Sequence, residues 1–337
     1  MPDAPSLPYG SNDLESRATA EPSTGKLRCV VRGCRHWLHP PSRKPKHSGD
    51  VCPDHGIRVH SGGTFSYADY RKNLIADADY FERHIRRHPF KYEAHRFGQE
   101  RSEDALTWNV FRSLQNARLL NRVVELCTGI RVDREPRLFL WGLELKADGV
   151  EPWDLLLRAR ERFESDLPVN RPKTEPDIAI HLPGVYLLLI EAKFCSPNGT
   201  YDRDKKTKLF DLTIDQFVQI YRDASLKILD FDAIARKDRV FYQLHRNMLF
   251  AEYMAALEGA STQAFHANLV RAIHADDSCE EFLGVIRPDH RHRFERITWE
   301  QIYSIAHDAG ASCQDLCRYM AHKTQNLKPA FQIKLHH

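Results

Sequence analysis

Thr174-Glu-Pro-Asp-Ile-Ala-Ile-His-Leu-Pro-Gly-Val-Tyr-Leu-Leu-Leu-Ile-Glu-Ala-Lys-Phe194 is the stretch on which the fold turns. Two apolar runs, Asp177 to Leu182 and Val185 to Phe194, flank Pro183-Gly184. Short apolar runs around such a pair predict a β-hairpin. Asp177 opens the first strand, and Glu191 and Lys193 end the second. Side chains alternate along a strand, so Glu191 and Lys193 share a face. Antiparallel pairing brings Asp177 near Glu191. Two carboxylates and an ammonium are thereby expected at one end of a hairpin whose interior is apolar.

That cluster has a definite chemistry. Neighbouring carboxylates repel unless a cation lies between them. Oxygen donors suit Mg²⁺ or Mn²⁺. Such an ion activates water and offsets charge on a phosphodiester under attack. Lys193, a compact point charge, suits orienting that water and neutralising developing negative charge. In these features the chain resembles the PD-(D/E)xK nuclease superfamily. Pro176-Asp177 matches the PD element and Glu191-Ala192-Lys193 the (D/E)xK element.

The resemblance covers roughly residues 95–225. It implies a restriction-endonuclease-like α/β core: a mixed central sheet flanked by helices, hydrolysing phosphodiester bonds with Mg²⁺ (or Mn²⁺). It assigns Asp177 and Glu191 as metal ligands and Lys193 as the water-positioning cation. It also calls for an acid from an upstream helix. Glu103 is the best match, because it continues the helical stripe of Leu106, Val110 and Leu114. Glu100 is the reserve. A rival Glu144-Leu145-Lys146 has no Pro-Asp ahead of it at hairpin spacing. Gln216, Gln219 and Tyr221 share a downstream helix, but not at the family's Gln-x-x-x-Tyr spacing. An ordinary helix face is the simpler reading of them. His181, four residues after Asp177, lies on the same strand face and is not read as catalytic.

A second pattern lies upstream. Cys29-x4-Cys34 is followed by Cys52-x2-His55, a Cys₃His set. Thiolates and imidazole in tetrahedral number select Zn²⁺, and four protein ligands leave no open position, which predicts a structural site. Residues 26–62 hold too few large apolar side chains for an independent core, and a zinc ion is the expected staple. His36, His39, His47 and His60 are alternative ligands with less regular spacing. Residues 26–60 carry eight Lys/Arg against two acids. Arg35, Arg43, Lys44 and Lys46 surround Trp37, a combination suited to phosphate contact and base stacking.

The whole chain supports the same organisation. Its 337 residues are 42% hydrophobic, enough for a sizeable core. The charges nearly cancel, 49 basic against 46 acidic, which neither demands nor excludes nucleic acid. No apolar run is long enough to span a bilayer, so no membrane association is expected. The first residues lack the basic start and apolar core of a secretory signal, and the expected compartment is the cytoplasm. No Gly-x4-Gly-Lys phosphate loop occurs. The Pro/Ser-rich residues 1–25 read as a flexible tail, 26–62 as the zinc module, and 63–337 as a nuclease-like domain with a C-terminal helical extension. Helices are expected over 67–87, 102–126, 153–164, 212–229, 242–257 and 298–309. Strands are expected over 138–145, 269–273 and 282–286.

The first functional expectation is a metal-dependent DNA endonuclease of restriction or anti-phage defence type. A homodimer or a defence-system protein is the expected partner; one active site cuts one strand, so a double-strand cut would need a dimer or two encounters. The second is a non-catalytic nucleic-acid-binding or assembly protein on the same fold, which would have been free to lose Asp177 or Lys193. The third keeps the chemistry on another substrate, as an RNA nuclease or junction resolvase.

Overall fold

The Pro183-Gly184 hairpin forms with the register its residues require. In the computed structural model Ile178–Leu182 and Tyr186–Ala192 pair antiparallel, Ile178 opposite Ile190 and Leu182 opposite Tyr186. Gly184 takes a φ of 74°, a left-handed conformation that glycine adopts without a Cβ penalty. The structure describes residues 7–43, 46–86, 96–168, 173–203, 212–273 and 278–333.

The chain divides into two compact units: residues 1–117 with 299–337, and residues 118–298. In the first, β1 (Leu27–Arg28) pairs with β2 (Trp37–Leu38), and β3 (Ile57–His60) with β4 (Thr64–Tyr67). Gly62-Gly63 lies in the turn of the second hairpin, so the chain pairs across the expected module boundary. Within the expected flexible tail, described from residue 7 onward, two points are paired with the module. Leu14 bridges Val31, Ala20 bridges Leu27, and the Leu14 side chain is fully buried. The reason is core size. Val30, Ile57 and Val59 are completed by Leu14, Phe65, Tyr67 and Leu327, all from outside 26–62. Helix α1 (Glu103–Asn116) follows, with Ser102 accepting the Ala105 amide as its N-cap.

The helix expected over 102–126 breaks after Asn116. Arg118 has a φ of 58°, which no helix accommodates, and α2 (Leu120–Thr128) restarts in the second unit. The helix expected over 67–87 forms only in part: Tyr67 ends β4, Tyr70–Asn73 is a 3₁₀ turn, and Ala78–Tyr80 and Phe81–Ile85 form one short helical stretch, α-helical and then π-helical. Residue 87 lies outside the described residues.

The second unit is built on a seven-stranded mixed sheet. Its strands are β5 (Arg137–Leu140), β6 (Leu143–Leu145), β7 (Val150–Pro152), β8 (Ile178–Leu182), β9 (Tyr186–Ala192), β10 (Gln263–Val270) and β11 (Phe294–Thr298). Their spatial order is β11-β10-β9-β8-β5-β6-β7. β9, β10 and β11 run parallel; the other neighbours are antiparallel. Helices α3 (Asp154–Glu164), α4 (Ile214–Tyr221) and α5 (Tyr242–Glu258) flank it. Leu187 and Leu189 join a core with α5 residues Leu244, Met248 and Ala251. The opposite face, with Leu188 and Ile190, is equally buried. Burial on both faces explains the unbroken apolar runs. Residues 282–286, expected as a strand, are corrected: α6 (Ser278–Leu283) ends there. A short apolar run alone does not separate strand from buried helix. The first unit resumes with α7 (Trp299–Asp308) and α8 (Gln314–His322), and Trp299 packs edge-on against Phe111 of α1. Among the described residues no helix is long and apolar enough to cross a membrane.

Two imidazoles lie in the core of the second unit. His245 and His266 give their Nδ1 sides to the Phe241 and Leu189 carbonyls, at 2.7 and 2.9 Å. Burial disfavours their charged forms and lowers each pKa to about 4. The unfolded chain therefore binds these protons more tightly. Stability is complete above about pH 6.5 and falls as pH drops toward 4, by up to about 3 kcal/mol per imidazole. Urea midpoints across that range are expected to show the decline, and His266→Gln to flatten it. An unchanged slope in the variant would refute the assignment.

Candidate functional site

Glu191 follows Leu187 and Leu189 on the sheet face that α5 covers, and α5 supplies its partners. Gln243 Nε2 donates to Glu191 Oε1, and Asn247 Nδ2 donates to Oε2 at 2.8 Å. Gln243 and Asn247 are one helical turn apart and share a face of α5. Lys193 Nζ reaches Glu191 Oε1 at 2.6 Å, with both side chains largely buried. The strand face expected to hold Glu191 and Lys193 together therefore does so.

Asp177 stands one residue before β8, at the step beyond the Ile178–Ile190 pair. Its Oδ2 accepts the Ala192 amide at 2.9 Å, which pins it to the strand end carrying Glu191. Gln243 Oε1 accepts the Gly199 amide at 3.2 Å. A Cβ at Gly199 would lie 2.6 Å from the Tyr242 ring, so a larger residue there would displace that ring. The loop after the site is thus tied to the helix that holds Glu191. The donor set, two carboxylates at a sheet end ringed by neutral amides and one ammonium, fits a hard divalent cation.

Gln243 and Asn247 were not legible as site residues. The available signal was two amide side chains at i and i+4 on a largely buried helix. Asn247→Ala strips one donor from a buried carboxylate. It is expected to lower stability by about 1.5–3 kcal/mol, read as a urea midpoint shift. An unshifted midpoint would mean that water replaces the amide.

The other residues that the motifs singled out take different places. Glu103 opens α1 in the first unit, whereas Asp177, Glu191 and Lys193 lie in the second. Glu100, the reserve, is buried in the first unit, where it accepts from Thr64 Oγ1 and from the Leu327 amide at 2.7 Å. Glu144 forks with Arg137, and Lys146 pairs with Glu151 at 2.5 Å, which makes the rival motif a set of strand-end ion pairs. His181 meets Glu258 at 2.9 Å and packs against Trp153. Gln216 closes a capping box with Thr213, and Gln219 is exposed. Tyr221 is buried and donates to Glu164 at 2.8 Å.

In the first unit Cys29, Cys34, Cys52 and His55 converge, with all four ligand atoms within 4.8 Å of one another. The Cys34–Cys52 sulfur separation is 3.7 Å, and His55 Nδ1 lies 3.3 and 3.6 Å from Cys52 and Cys29 Sγ. Tetrahedral zinc with Zn–S about 2.3 Å and Zn–N about 2.0–2.1 Å places such pairs about 3.8 and 3.6 Å apart. The cluster therefore fits zinc. Burial and the neighbouring thiols push the Cys29 thiol well up, a state that a bound cation reverses. Of the alternative ligands, His39 pairs with Asp50 and His60 with Ser66. His36 pairs with Asp54 at 2.9 Å, beside Cys34. The His47 side chain lies outside the described residues, as do Lys44 and the side chains of Arg43 and Lys46. Trp37 is partly exposed.

The mixed sheet and the carboxylate–lysine end of its hairpin define a restriction-endonuclease-like protein. A family model described as restriction endonuclease associating with ARP matches residues 46–323. The chain belongs to that family, and membership supports a nuclease-type function. No curated protein and no solved structure shows a significant match.

Proposed function

We propose that this protein is a metal-dependent DNA endonuclease. The observation that carries the reading is the buried Lys193–Glu191 pair at the strand end to which Asp177 is pinned. Asp177 and Glu191 would hold Mg²⁺ or Mn²⁺. Such an ion supplies Lewis-acid assistance to phosphodiester hydrolysis when bound. The protein's own groups do the rest. Gln243 and Asn247 fix the Glu191 carboxylate in one orientation, so that little reorganisation is needed when substrate arrives. The Lys193 ammonium, confined by the same carboxylate, orients the attacking water and offsets charge developing on the phosphate.

The structural zinc module, with Arg35 and Trp37 on its surface, is proposed to contact the nucleic-acid backbone and stack on a base. The family's description names an association with ARP, which supports a protein partner and a setting in restriction or anti-phage defence. A cytoplasmic site of action follows from that setting.

The test is a cleavage assay on plasmid, linear duplex, single-stranded DNA and RNA, with Mg²⁺, with Mn²⁺ and with EDTA. Metal-dependent cutting of duplex DNA is the expected outcome. Cutting of RNA alone would transfer the chemistry to an RNA nuclease. Silence on every substrate, with ARP added, would leave the non-catalytic binding protein as the reading.

A further inference from the structure

Helix α3 bears no residue of the carboxylate–lysine cluster, yet it grips the segment that carries Asp177. Arg160 and Glu164, one helical turn apart, both address Thr174. Glu164 Oε2 accepts the Thr174 amide at 2.9 Å and Oε1 accepts its hydroxyl. Arg160 Nε donates to the Thr174 carbonyl at 2.7 Å. Every polar group of Thr174 is thus held by α3. Thr174 is almost wholly buried and Glu164 has no exposed surface. Between Thr174 and Asp177 stand only Glu175 and Pro176, and proline has one φ, so little slack separates the clamp from the carboxylate.

Glu164 also faces the other side of the site. It accepts the Tyr221 hydroxyl at 2.8 Å, and Arg246 Nη1 lies 3.9 Å from its Oε1. Arg246 is on α5, between Gln243 and Asn247, the two residues that hold Glu191. One buried carboxylate therefore touches both the segment bearing Asp177 and the helix orienting Glu191. A fully buried acid is costly without such partners, and two of its partners here, Thr174 and Arg246, lead to the cluster.

We infer that Glu164 is a positioning residue that, through Thr174 and Arg246, sets the separation of Asp177 and Glu191 for a divalent cation. The inference rests on the proposed nuclease reading. Groups that orient metal ligands typically carry a tenfold to hundredfold effect on metal affinity.

The experiment measures Mn²⁺ binding to the full chain, loaded with zinc, by electron paramagnetic resonance of free Mn²⁺ without nucleic acid. Thermal midpoints without Mn²⁺ are recorded alongside. Asp177→Ala serves as the control that removes a proposed ligand. Thr174→Val keeps the shape but removes the hydroxyl donor; Thr174→Ser keeps it. Glu164→Gln keeps acceptors but drops the charge. Thr174→Val and Glu164→Gln are expected to weaken Mn²⁺ binding about tenfold, with Thr174→Ser matching wild type. Should Glu164→Gln fail to fold, Thr174→Val decides. Unchanged Mn²⁺ affinity in folded Thr174→Val, whatever its thermal midpoint, would overturn the inference while leaving the nuclease reading intact. A wild-type chain that binds no Mn²⁺ at the Asp177 site would bring down the nuclease reading and this inference with it.

Discussion

Replacing Lys193 by alanine is expected to remove metal-dependent cleavage while nucleic-acid binding persists. The ammonium lies 2.6 Å from Glu191 Oε1, and its side chain is only 8% exposed. In so dry a position a charge acts on its neighbours far more strongly than in water. Losing one preorganised group that stabilises developing charge costs about 10²–10³-fold in turnover. The carboxylates remain held by Gln243, Asn247 and the Ala192 amide, so folding and metal binding should survive. That split separates a catalytic lysine from a structural one. Lys193→Arg is expected to rescue poorly, because a planar guanidinium does not replace a compact ammonium. Single-turnover cleavage measured beside gel-shift affinity is the check. Wild-type cleavage by Lys193→Ala would sink the assignment of Lys193.

The second large effect concerns the first unit. Purified protein is expected to carry one zinc per chain. Cys52→Ala is expected to release it and to unfold the segment from Leu27 to His60. Zinc bound to small modules of this kind contributes on the order of 10 kcal/mol of apparent folding free energy. The apolar core here is small and borrowed in part from Leu14, Phe65, Tyr67 and Leu327. Metal analysis gives the stoichiometry, and trypsin reports unfolding by cutting at Arg28, Arg32 and Arg35. Because a thiolate–metal set absorbs when cobalt replaces zinc, Co²⁺ titration tests the ligands directly. A Cys52→Ala chain that keeps its metal and resists trypsin would show that Cys34, His36 and Asp54 hold the ion instead. That trio also lies within ligand distance of one another.

Sequence alone determined the hairpin, its turn, and the shared face of Glu191 and Lys193, because each depends on period and local turn chemistry. Only tertiary structure decided the rest. The zinc-module core needed side chains distant in sequence, which no local pattern announces, and Leu14 of the supposed tail is one of them. The continuous helix over 102–126 failed at Arg118, where one backbone angle overrode a good stripe. Gln243 and Asn247 gained their meaning only when α5 lay across β9, fifty or more residues away in the chain. Glu164 read as one more helical acid until Thr174, Tyr221 and Arg246 closed around it. Strand period and turn residues are properties of neighbours along the chain. The partners of a buried carboxylate are set by which elements pack together, and that depends on the whole core.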